Sequence, residues 1–292
     1  MKKFALRAIT LVLVVYGLLA FMLVVRCCRA RELVARSVVT MPGSTVLFLG
    51  SSCVGCSMIE TNDHGFAQIW QYRSTPQLSL VRLLELERKG ELRKFKKVCL
   101  ELGYQNFAYQ TKQWMKDLFL QTLPMSWRYL DLADVSPIDL YVHFVHNCGA
   151  RFELRSNNPF AWEDDVSVWS EEKKARDWEE LKHAYFDVLN DEAEMIDDWL
   201  LSIERTIECV QTVCRRHKVD CEVVVFPISS YCRSRIPADA EKRLVRLLDW
   251  ARRLGLRVRD YRAEMPDEYF LNLNHLSRRG ASRFVEKLAV DD

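Results

Sequence analysis

The sequence is short of glycine and proline, with ten and eight among 292 residues. Together with 11% aromatic and 49% hydrophobic residues, that scarcity excludes a disordered chain, because such a composition buries far more surface than a solvated coil. An excess of either charge is also missing. Lys and Arg number 42 against 40 Asp and Glu, a net +2, so no electrostatic footprint points to nucleic acid, and none is expected as a partner. The length suits one large domain or two small ones. Cysteine is not scarce. Ten of them are too few for a disulfide-dense miniprotein and too many to ignore.

One segment departs from a globular average. Ala8 to Val25 is a run of 18 uncharged residues, about the minimum for a helix crossing a ~30 Å hydrocarbon layer. Lys2, Lys3 and Arg7 precede it, as in a signal peptide. A cleaved signal ends in small residues, whereas this run meets Arg26-Cys27-Cys28-Arg29. Arg26 also spoils a lipoprotein reading of Cys27. The expectation is an uncleaved, single-pass anchor over residues 1–29 that contacts membrane lipid, with the body on the exported side. Residues 30–43 form a basic connector ending in Met41-Pro42-Gly43.

From 44 to 292 the pattern alternates. Short apolar runs at 45–50, 97–103, 221–227 and 256–261 read as buried strands. Helical spacing marks 78–88, 192–218, 240–254 and 278–289, strongest where Ile196, Leu200, Ile203, Ile207, Val210 and Cys214 share one face. Such alternation predicts an α/β domain, a three-layer parallel sheet covered on both faces. The stretch 107–190 holds Trp114, Trp127, Trp162, Trp169 and Trp178, five of the eight tryptophans, and reads as a helical insertion. No internal repeat is present.

Ligands of parallel sheets sit beyond the carboxyl ends of the strands. Three candidates fall on that rim. Gly50-Ser51-Ser52 follows the first strand, so a serine hydroxyl there sits on a strand-to-helix turn near backbone N–H groups; a plain capping turn has the same sequence. Gly103-Tyr104-Gln105-Asn106 follows the second, where a glycine N–H and an asparagine amide can both donate to an oxyanion. Asn272-Leu273-Asn274-His275 precedes the last helix, and a histidine so placed can face a nucleophile through one ring nitrogen.

Taken together, these motifs resemble the SGNH (GDSL-like) hydrolase superfamily over roughly 44–106 and 221–289. The "FLGSS" opening, the "NHLSRRGASRF" ending and the N-terminal anchor look most like membrane-anchored branches, those of D-alanyl-lipoteichoic acid biosynthesis and alginate acetylation. The resemblance implies a flavodoxin-like fold, Ser52 as nucleophile and His275 as general base. It also implies an oxyanion hole from the Ser52 N–H, Gly103 and Asn106, and no metal or organic cofactor. The implied chemistry is ester hydrolysis or O-acyl transfer on an envelope glycan or lipid, with a membrane acyl-transfer partner. Ser51 stands where the family has Asp, and Asn272 stands where it has the acid that orients the histidine. An amide holds a ring without stabilising its charge, so a backbone carbonyl, Asp267 or Glu268 would have to assist, or the site is slow or dead.

Two rivals come from other classes. Cys53-Val54-Gly55-Cys56 after a strand mimics a thiol–disulfide oxidoreductase and is also the sharpest disulfide candidate. A non-catalytic protein would keep the fold and bind glycan or a partner through its tryptophans. His143, His146 and Cys148 lie close together, but no second cluster completes a four-ligand metal set.

Overall fold

The computed structural model describes residues 43–58, 65–70, 74–107, 170–186 and 193–291, with scattered positions between 9 and 25. Five parallel strands form one sheet in the order β2-β1-β3-β4-β5. They are β1 (Val46–Gly50), β2 (Phe66–Trp70), β3 (Lys97–Glu101), β4 (Asp220–Val225) and β5 (Arg257–Asp260). The helices are α1 (Ser52–Ser57), α2 (Pro76–Arg88), α3 (Glu171–Tyr185), α4 (Ala193–Arg216), α5 (Ser230–Arg233), α6 (Ala238–Arg253) and α7 (Arg278–Asp291). This is an α/β fold with strand order 2-1-3-4-5, the doubly wound order whose direction of progression reverses between β1 and β3.

Every residue of β1 is buried, as an inner parallel strand requires. Successive side chains serve opposite layers. One layer carries α2, α4 and α6, with α4 packed between the other two. The second holds α1 against α7, and there Phe48, Phe226 and Phe284 follow one another at ring separations of 6.3 and 5.6 Å. The long amphipathic helix packs on the face its spacing predicts: Leu200, Ile203, Ile207, Val210 and Cys214 are all buried. Thr75 caps α2 by accepting from the Leu78 N–H, with Pro76 in the first turn where its missing N–H costs nothing. Gly90 and Gly255, at φ +71° and +78°, end α2 and α6 in the left-handed conformation that side chains disfavour.

Four strands are legible in the sequence, and the described residues form five. The extra one, β2, is a five-residue edge strand interrupted by Gln68 and pairing only with β1. Its apolar run is too short and mixed to stand out from loop sequence. Among the described residues no helix is long and apolar enough to cross a membrane. The expected anchor 1–29 and connector 30–43 lie largely outside those residues, though Ile9, Leu13, Leu18 and Phe21 are helical and exposed. Most of the 107–190 insertion, including His143, His146, Cys148 and four of its tryptophans, also lies outside.

The last helix meets the 3-10 turn Asp267–Tyr269 at a place that admits no extra atom. A Cβ on Gly280 would collide with the Tyr269 carbonyl oxygen, a rigid backbone neighbour. Gly280→Ala is therefore expected to cost about 1–3 kcal/mol, as overpacking does, read as a lower urea midpoint at unchanged m-value.

Candidate active site

The end of β1 turns directly into α1. Ser51 is the N-cap, extended at φ −92° and ψ −163°, and its hydroxyl accepts the Cys53 N–H at 3.2 Å. That geometry makes Ser52 the first helical residue. Its N–H, one of those a helix start leaves unbonded, has no partner among the described residues. The Ser52 side chain faces the loop that precedes α7.

That loop closes on itself. Phe270 and Leu276 form an antiparallel bridge, the Leu271 N–H donates to the His275 carbonyl at 2.9 Å, and the Ser277 N–H to the Tyr269 carbonyl at 2.8 Å. At its tip Asn272 Oδ1 accepts the N–H groups of Asn274 and His275, at 3.2 and 3.0 Å. The loop thus presents His275 Nε2 at 2.9 Å from Ser52 Oγ, across 223 positions of sequence. Burial pushes the imidazole down from its ordinary 6.5 to about 4, so it is neutral and able to accept a proton near pH 7.

The predicted support for the histidine is arranged differently. The oxygen of Asn272 is taken by main chain, so this residue shapes the histidine loop through its backbone; an amide acceptor two and three residues before free N–H groups forms such a turn readily. Asp267 does not serve the ring either. Its carboxylate accepts the Ser230 N–H and hydroxyl, both at 2.6 Å, at the start of α5. Of the predicted oxyanion donors, Gly103 is already committed: its N–H donates to Asn106 Oδ1 at 2.7 Å. The cause is a four-residue 3-10 turn, Tyr104–Phe107, that folds the Asn106 side chain back onto the strand end. Asn106 Oδ1 is thus engaged, and its backbone carbonyl accepts from Trp199 Nε1 at 2.8 Å.

A residue the motifs do not include occupies the centre. Glu101, the last residue of β3, is buried. Its carboxylate accepts the Ser51 N–H, the Ser51 hydroxyl at 2.8 Å and the Gln105 amide at 2.6 Å. Gly50 is glycine because a Cβ there would strike Glu101. Desolvation pushes this carboxyl up from 4.5 to about 7, against the pull of its hydrogen bonds. The available signal was an acidic residue closing an otherwise apolar inner strand, Lys97-Val98-Cys99-Leu100-Glu101.

The redox alternative and its disulfide are corrected here. Cys53 and Cys56 are free and buried. Burial, with Glu101 nearby, pushes both thiols up, the reverse of what a redox thiol needs. Both sit inside α1, packed between the sheet and α7. Cys53 Sγ instead lies 3.5 Å from the Asn274 carbonyl, joining the two halves of the site. Cys99, Cys209, Cys214, Cys221 and Cys232 likewise form no disulfide among the described residues. Trp178 packs on Phe186 at 5.9 Å, and Phe186 on Tyr104 at 6.2 Å, so this tryptophan is core and not an exposed binding surface.

No family model and no curated protein matches this chain. Among solved structures it is similar to a protein of Bacteroides fragilis NCTC 9343 described as a candidate acylhydrolase, at 12% identity and a TM-score of 0.41, over 86% of this chain and 89% of that one.

The two shifted groups have opposite consequences. Between about 4 and 6.5 the unfolded state binds the His275 proton and the folded state does not, so stability falls as pH falls through that window. Between 4.5 and about 7 the folded state binds the Glu101 proton and the unfolded one does not, so stability falls as pH rises there. His275→Asn removes the first effect alone. Its melting temperature is expected to drop less than wild type from pH 6.5 to 4; an equal drop would assign the acid loss elsewhere.

Proposed function

We propose that the protein is a serine acyl hydrolase or O-acyltransferase, with Ser52 as nucleophile and His275 as general base. The 2.9 Å contact between Ser52 Oγ and neutral His275 Nε2 carries this reading, and its position at the carboxyl end of β1, beside the strand-order reversal, agrees with where parallel sheets bind ligands. His275 takes the hydroxyl proton as Ser52 Oγ bonds to the acyl carbon, and the imidazolium returns that proton to the leaving oxygen. The acyl-enzyme then passes its acyl group to water or to a sugar hydroxyl: His275 deprotonates the acceptor and returns that proton to Ser52 Oγ as the Oγ–acyl bond breaks. The Ser52 N–H and the Asn106 amide are the donors left for the oxyanion.

The substrate class that fits is an ester of an envelope glycan or lipid, because the uncharged run 8–25 would confine the domain to a membrane surface. The exposed apolar side chains at Ile9, Leu13, Leu18 and Phe21 support that reading. On it the protein is single-pass, with residues 44–292 exported and a membrane acyl-transfer protein as partner. A second reading, a non-catalytic protein of the same fold, is favoured by the engaged Gly103 N–H and Asn272 oxygen.

A fluorophosphonate probe separates them. Wild type is expected to label, Ser52→Ala to lose labelling, and His275→Ala to label at least about a hundredfold more slowly, as loss of a general base does. Absent labelling of wild type, or labelling that survives Ser52→Ala, favours the non-catalytic reading. Full-length protein should also stay with membranes through carbonate washing at alkaline pH, and its release would remove the anchor.

A further inference from the structure

We propose that Glu101 is the positioning residue of this site: its carboxylate clamps the turn that carries Ser52 and so sets the nucleophile's approach to His275. The inference rests on Ser52 being the nucleophile. It starts from the sheet. β1 and β3 pair in register from Val46 and Lys97 to Leu49 and Leu100, and there the ladder stops. Beyond it, Leu102 donates its N–H to Val224 of β4, so β3 leans away from β1. The gap is spanned by one side chain, Glu101, which takes both the N–H and the hydroxyl of Ser51.

The donors converge from three directions on an acceptor-only group. Gln105 Nε2 reaches Glu101 at 2.6 Å and the Ser51 hydroxyl oxygen at 3.3 Å. That same oxygen accepts the Cys53 N–H, so the carboxylate, the Ser51 hydroxyl and the first turn of α1 form one connected set of bonds. Protonation breaks its logic. A neutral carboxyl must donate its own hydrogen, and its neighbours here are arranged as donors; the Ser51 hydroxyl then has to rotate and accept from Glu101 instead of donating to it. The titratable groups facing Glu101 are the thiols of Cys53 and Cys56 on α1, both kept protonated by burial, with His275 beyond Ser52. No lysine or arginine pairs with it among the described residues. Since its carboxyl titrates at about 7, the clamp closes as pH rises through neutrality, well above the range where His275 changes charge.

The test is the second-order rate of fluorophosphonate labelling of the full chain from pH 4 to 9. Wild type should show a rise with a midpoint near 7, separate from the histidine limb. Glu101→Gln keeps the shape, loses that rise and labels about ten- to a hundredfold more slowly at pH 8, the range for losing a hydrogen bond to a charged group. Gln105→Leu leaves Glu101 in place without one donor, so the midpoint should move to higher pH; this holds even where Glu101→Gln fails to fold. A rise that persists in Glu101→Gln, or a midpoint unmoved in Gln105→Leu, overturns the inference while leaving Ser52 as nucleophile. Absent labelling of wild type overturns both.

Discussion

A parallel sheet that reverses its strand order must separate a pair of neighbouring strands at their carboxyl ends, and here one carboxylate spans the gap. β1 leaves the sheet into α1, on the layer shared with α7, while the chain after β3 continues toward the opposite layer. The main chains can no longer satisfy each other at that point. Glu101 supplies the acceptors that the missing ladder would have supplied, and it does so in a space cleared by Gly50. A buried carboxyl is costly unless its lone pairs are filled. The Ser51 N–H and hydroxyl, the Cys53 thiol and the Gln105 amide fill them, yet desolvation still outweighs those bonds and lifts the pKa to about 7. The crevice that could receive a substrate and the cost of burying an acid arise from the same topological step.

Much of this was legible because parallel strands announce themselves. Leu47, Phe48 and Leu49, and Val223, Val224 and Val225, are continuous apolar runs, and each ends where the sheet ends. Placing Ser52 and His275 on one rim needed only that regularity and the rule that ligands gather beyond strand ends. Other features carry no such signature. Edge strand β2 buries Phe66, Ala67 and Ile69 but breaks its pattern with Gln68, whose amide serves the Met58 carbonyl. Whether Asn272 faces an imidazole or its own main chain is decided by loop closure between Tyr269 and Ser277, a matter of backbone path. Gly103 has the same difficulty: its identity fits a donor, while the 3-10 turn after it decides what it donates to.

Cysteine shows how local sequence can mislead when packing rules. Strand, Cys-x-x-Cys and helix are all present at 46–57, and the arrangement matches a redox motif in linear order. Its chemistry depends on exposure and on stabilising the thiolate. α7 covers α1, Glu101 lies beside it, and both thiols are driven toward the protonated state. Cys53 instead donates its thiol hydrogen to the Glu101 carboxylate and lies against the carbonyl of Asn274, beside the turn that carries Ser52. The tryptophans follow the same course: Trp178 and Trp199 are drawn into the core, the first by stacking and the second by donating to the Asn106 carbonyl that steadies the strand end.

The protons of the site form a final constraint. At pH 6 an unfolded chain carries Glu101 ionised and His275 largely charged, whereas the folded chain holds the acid neutral and the imidazole neutral. Folding therefore removes one negative and one positive charge together, leaving the net charge almost as it was. The effects of these two groups on stability oppose each other across nearly the same window. The cost falls on chemistry. An imidazolium formed during proton transfer is a buried cation, and the same burial that keeps His275 a ready acceptor raises the energy of that charged form. On the proposed acyl-transfer reading, such a site would favour a short-lived proton on the histidine, handed quickly to a leaving oxygen, over a stable ion pair.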